Sequence, residues 1–122
     1  MSIQTSLSII ATSGSTKDFE YVTQVIDTGF AEHVCQKFSI ADGVTGINFL
    51  AGSTIALCNL IFITTETAGL EIKYQTSGGT TSQPIVTSAN KPILIYTEDI
   101  LWVTATNTTG SAIAGRFLAA GN

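Results

Sequence analysis

The stretch Ile55-Ala56-Leu57-Cys58-Asn59-Leu60-Ile61-Phe62-Ile63-Thr64 is apolar on both of its alternating sets of side chains. Ile55, Leu57, Ile61 and Ile63 point one way in an extended chain, and Ala56, Cys58, Leu60 and Phe62 the other. That is the pattern of a central strand covered on both faces. Asn59 interrupts the run, which is far short of the ~20 residues that span a bilayer as a helix.

On its N-terminal side the sequence reads as further short strands. Thr45 to Leu50 forms one before the Gly52-Ser53 break, and Asp42-Gly43 supplies a turn. Phe30, Val34 and Phe38 have helical spacing, but Val34, Phe38 and Ile40 share a strand face, and a strand from Val34 to Ile40 is expected. Phe19 to Ile26 alternates cleanly and ends at Asp27-Thr28-Gly29. Ahead of it, Ser13 to Thr16 reads as a flexible break, making residues 1–17 an N-terminal arm or first edge strand with apolar Ile3, Leu7, Ile9 and Ile10. On the C-terminal side, Leu70, Ile72 and Tyr74 alternate with Glu71, Lys73 and Gln75, and Ser77 to Thr80 forms a loop. Pro84 to Thr87, Ile93 to Thr97, Ile100 to Thr106 and Ala112 to Ala119 complete the series. Pro84 and Pro92 stand at strand starts, where a missing amide donor costs least. Short strands spaced by about 8 to 12 residues predict an all-β fold. The expectation is an antiparallel, jelly-roll-like β-sandwich of eight or nine strands occupying residues 18–122 as one domain.

Composition narrows the function. The 122 residues carry five Lys/Arg and nine Asp/Glu, for a net charge of -4 and a mean hydropathy of +0.36. Lys17, Lys37, Lys73, Lys91 and Arg116 are too few and too scattered to neutralise a nucleic-acid backbone or dock on an anionic bilayer. Neither nucleic acid nor membrane is an expected partner. The N-terminus lacks a basic n-region and an apolar h-region, so cytoplasmic synthesis is expected. There Cys35 and Cys58 are expected as two buried thiols. The Asn107-Thr108-Thr109 sequon carries little weight in such a chain.

Catalytic equipment is sparse. Glu32, His33 and Cys35 cluster, but a zinc site needs three or four ligands, and beyond Cys58 no further Cys or His exists. His33 beside Cys35 lacks a recognisable orienting group or oxyanion hole. Glu98 and Asp99 read as turn residues, and the glycines of Ser77 to Thr81 lack the lysine of a phosphate loop. No catalytic residue, metal or cofactor is expected. Exposed aromatics on a sandwich can stack on sugars, which makes Trp102 and Tyr96 candidates for a glycan-binding face. A Trp inside an apolar strand such as Ile100 to Thr106 is more often core.

The block Pro92 to Gly121 contains a proline-led strand, a Glu98-Asp99 turn, a strand ending in Asn107-Thr108-Thr109-Gly110, and a last strand ending in Ala-Gly. In this, and over about residues 38–121, the chain resembles the small all-β accessory proteins of tailed bacteriophage virions. The resemblance implies a non-enzymatic structural role: a capsid cement or decoration protein whose partner is the major capsid protein on the virion surface. A tail or fibre component, or a glycan-binding module, is the alternative. A homotrimer at threefold or quasi-threefold lattice positions would bury the excess apolar surface. The arm, through Ile3, Leu7, Ile9 and Ile10, would contact a neighbouring subunit or the capsid.

Overall fold

A computed structural model describes residues 4–27 and 32–122. None of these is helical, and every ladder between strands is antiparallel. Two compact units divide the chain, residues 1–30 and 31–122.

The first unit is a hairpin of β1 (Gln4–Ser13) and β2 (Thr16–Asp27). Gly14, at φ +61°, lies in the turn. The run expected as a flexible break is therefore a tight reversal. The segment expected to open the sandwich pairs with β1 instead, which places the division between units after β2 in place of residue 17.

The second unit holds β3 (Glu32–Ile40), β4 (Ile47–Asn48), β5 (Cys58–Thr65), β6 (Glu71–Thr76), β7 (Ile85–Val86), β8 (Ile93–Thr106) and β9 (Ile113–Gly121). Their order across the sheet is β3-β9-β5-β8-β6-β7, with β4 also on β8. β5 is central, as its apolar pattern requires, between β9 and β8. Pairing extends β3 back to Glu32, whereas β4 and β7 are only two residues long.

Glu98 and Asp99 do not separate two strands, as expected from the sequence, but lie within the single 14-residue β8. Asp99 takes φ +47°, a left-handed conformation that Asp tolerates better than most residues. The strand bends there instead of reversing. Before the bend, Ile93 to Tyr96 pair with β5; Ile100 just beyond it pairs with both β5 and β6, and Trp102 to Thr106 pair with β6. This corner folds the sheet into two layers. Phe49, whose amide donates to the Val103 carbonyl on the second half of β8, packs its ring 5.1 Å from that of Phe38 on β3 and 4.8 Å from that of Phe117 on β9. Ile61, Ile63, Leu70, Ile72, Val103 and Ile113 fill the space between the layers and are buried completely or nearly so. The result is the antiparallel, jelly-roll-like sandwich that the strand spacing implies.

A polar staple closes one end of it. Asn107 is fully buried; its Nδ2 donates to the carbonyls of Ile40 and Ser111, each at 2.8 Å. Its Oδ1 accepts from the Thr109 amide at 3.1 Å and hydroxyl at 2.8 Å. The sequon asparagine is thus structural and inaccessible to a glycan.

Among the described residues, the Thr65 hydroxyl is buried without a hydrogen-bond partner. An unsatisfied buried hydroxyl costs about 1–3 kcal/mol, and Val matches Thr in shape. Thr65→Val is expected to raise the thermal midpoint by about 3–5 °C. Calorimetry that finds the midpoint unchanged or lowered would show that the hydroxyl is satisfied.

Candidate functional site

The register aligns one row of outward side chains across four strands of the sandwich. Cys35 on β3 opposes Leu118 on β9, Leu118 opposes Phe62 on β5, and Phe62 opposes Leu94 on β8. At about 4.8 Å per strand, the row spans roughly 14 Å. Leu94 is 50% exposed, Tyr96, two residues further along β8, is 56% exposed, and Phe62 and Leu118 are half-buried. The outer face of β5, expected to be covered, is therefore only partly so within one chain. Sequence reasoning finds that both faces of β5 are apolar, but the neighbours that extend this face come from β8 and β9. Their alignment depends on register, which the sequence does not display.

The hairpin carries a second apolar face. Ile9 opposes Tyr21 and Ala11 opposes Phe19, so these four share one side of the ribbon. Ile9 is 48% exposed, and Phe19 and Tyr21 are comparably exposed. Ile10 lies on the other side, opposite Glu20, and is exposed too. Leu7 pairs with Thr23 along the backbone, and Ile3 lies outside the described residues. Of the arm positions singled out from sequence, Ile9 and Ile10 are exposed but on opposite faces. Phe19 and Tyr21 join Ile9 on this surface, although their alternation in the sequence assigns them to the sandwich.

The two candidate stacking aromatics do not form one platform. Tyr96 lies before the β8 bend and Trp102 beyond it, six residues further on and up to about 20 Å away along the strand. Trp102 is half-buried and opposes Gln75 on β6.

Of the two thiols expected to be buried, one is. Cys58 is buried, and burial pushes its pKa above the ordinary thiol value, against weaker lowering by hydrogen bonds to Leu60 and Ala120. Its Sγ lies 3.6 Å from the Leu60 carbonyl. Cys35 is not a core thiol but an exposed one, because β3 ends the sheet and its odd-numbered side chains face outward. Both are free thiols, on strands separated by β9. His33 is exposed on the same face as Cys35, and no three His, Cys, Asp or Glu among the described residues come together as metal ligands.

The fold resembles that of a solved structure. The cupin domain of Schizosaccharomyces pombe Cnp3 superposes with a TM-score of 0.52 over 98% of this chain and 84% of that one, at 5% identity. The chain is thus similar in fold to a cupin domain, a jelly-roll-like β architecture, and at that identity the likeness concerns fold alone. No family model and no curated protein sequence matches the chain.

Proposed function

We propose that the protein is a non-enzymatic structural component of a bacteriophage virion, a cement or decoration protein that binds the major capsid protein on the capsid surface as a homotrimer. The observation that carries this reading is the apolar row Leu118–Phe62–Leu94 with Tyr96, left outward on the sandwich. An apolar strip on a folded sheet favours association. The exposed apolar side of the hairpin supports the same reading, since a two-stranded ribbon is marginal in water and gains stability by packing. The terminal strand β3 offers a sheet edge for pairing. The resemblance of residues 38–121 to virion accessory proteins supplies the capsid as the lattice to be held.

The test is sedimentation of the full chain alone and with purified phage particles. A trimer in isolation and co-sedimentation with capsids at lattice stoichiometry are expected. A monomer that stays in the supernatant rejects the reading.

A glycan-binding module is the second reading, favoured by the exposed ring of Tyr96. It is distinguished by a glycan array on the isolated protein, with Tyr96→Ala and Trp102→Ala as controls.

A further inference from the structure

A cavity of about 420 Å³ opens where β5 ends, and two of the chain's five Lys/Arg side chains, Lys37 and Arg116, line it. They are direct partners across the β3–β9 ladder, an arrangement that places like charges about 5 Å apart at Cβ and is unfavourable unless something neutralises it. Lys17 and Lys73 each have a carboxylate partner, Glu20 at 3.1 Å and Glu71 at 3.7 Å. Lys37 and Arg116 have none within ion-pair distance among the described residues. In a protein of net charge -4, two adjacent cations without a counter-ion mark a place for an anion.

The rest of the wall is mixed. Asn90, Thr64 and Glu66 supply hydrogen-bonding groups, while the Phe38 ring turns inward against Phe49. Asn90 is fixed in a left-handed turn at φ +58°, its amide donating to the Thr65 carbonyl at 2.8 Å. Gly115 forms part of the floor.

We propose that this cavity binds a sugar acid, a hydroxylated ring bearing one carboxylate. The forked guanidinium of Arg116 matches a planar carboxylate, and Lys37 adds a second positive charge beside it. Asn90, Thr64 and Glu66 take the ring hydroxyls. Glu66 in the same wall opposes a second negative charge, which favours a single carboxylate over a phosphate dianion. The volume falls in the range of small-molecule sites. This site stands independently of the capsid reading and uses neither Tyr96 nor Trp102.

Titration calorimetry on the full chain at low salt tests it, with glucuronic acid, an oligosaccharide ending in glucuronic acid, glucose and inorganic phosphate as probes. Glucuronic acid is expected to bind with a Kd of about 1 mM, and glucose at least about tenfold more weakly. Arg116→Gln and Lys37→Gln should each weaken glucuronic acid by about tenfold, as should raising the salt to about 0.5 M. Both side chains are exposed, so the variants should keep the parent's thermal midpoint. Tighter binding of the oligosaccharide assigns the ligand to a polysaccharide terminus; equal binding assigns it to the free acid. Glucose binding as well as glucuronic acid, phosphate binding in its place, no glucuronic acid binding at about 50 mM, or variants without effect would each overturn the proposal.

Discussion

Asn107→Asp is expected to lower folding stability by about 3–5 kcal/mol at neutral pH, a large part of the 5–15 kcal/mol typical of a domain. The substitution keeps the shape and exchanges an NH2 for an oxygen. The wild-type amide donates to the Ile40 and Ser111 carbonyls. A carboxylate cannot donate. It would take away the donor to both carbonyls, leaving Ser111 only the 3.0 Å contact from the Thr109 hydroxyl, and press a negative oxygen against them in a fully buried site. The bonds accepted from Thr109 survive the change, so the loss comes from the Nδ2 side.

The pH dependence follows from the same geometry. Facing two carbonyl oxygens, the introduced carboxyl has a folded-state pKa raised above the roughly 3.9 of an unfolded chain. The folded variant then binds more protons than the unfolded one, and its deficit relative to wild type shrinks as pH falls toward about 4. Urea unfolding at pH 7 and near pH 4 measures both effects. A loss under about 1 kcal/mol at pH 7 would mean that the Asn107 network does not hold that end of the sandwich.

Local patterns make the strands legible, and long-range pairing hides the surfaces. Alternation places β5 and β6 well because each buries a defined set of side chains against the interior. The Glu98-Asp99 pair has turn chemistry, yet the chain bends there without reversing, because β5 and β6 hold the two halves of β8 on different partners. Asn107 reads as a turn residue with a chance glycosylation motif. Its role emerges only when Ile40, distant in sequence, is brought within 2.8 Å. The hairpin is hidden for a similar reason: Ser13 to Thr16 has the composition of a linker, and only the partner strand turns it into a reversal. Among the candidate surface residues, exposure of Tyr96 follows from its strand face, whereas Ile9 and Ile10 are both exposed on opposite sides of the ribbon, which alternation alone does not foretell. The convergence of Lys37 with Arg116, or of Phe62 with Leu94 and Leu118, is a property of register.

If the protein is the trimeric cement proposed above, the double variant Leu94→Lys with Tyr96→Lys is expected to sediment as a monomer where the parent sediments as a trimer, and to lose capsid occupancy with it. Both side chains are about half exposed, so the fold itself loses little when they change; surface substitutions fall mostly within about 0.5 kcal/mol. At an interface the same positions weigh far more. Their exposed apolar area, with the half-buried Phe62 and Leu118 beside it, is what an association through this face would remove from water. At about 25 cal/mol per Å², covering roughly 100 Å² of Leu94 and Tyr96 contributes about 2.5 kcal/mol per subunit. Two lysines forfeit that and bring like charges together around a threefold axis, so the dissociation constant should rise by more than about 100-fold. Analytical ultracentrifugation across a concentration series reads the shift, and a urea midpoint matching the parent separates dissociation from unfolding. If the variant remains a trimer, the outward row is not the subunit interface, and association must run through the hairpin face of Ile9, Phe19 and Tyr21 or the open edge of β3. A variant that is monomeric yet still saturates capsids would instead assign the row to self-association alone and leave capsid binding to another face.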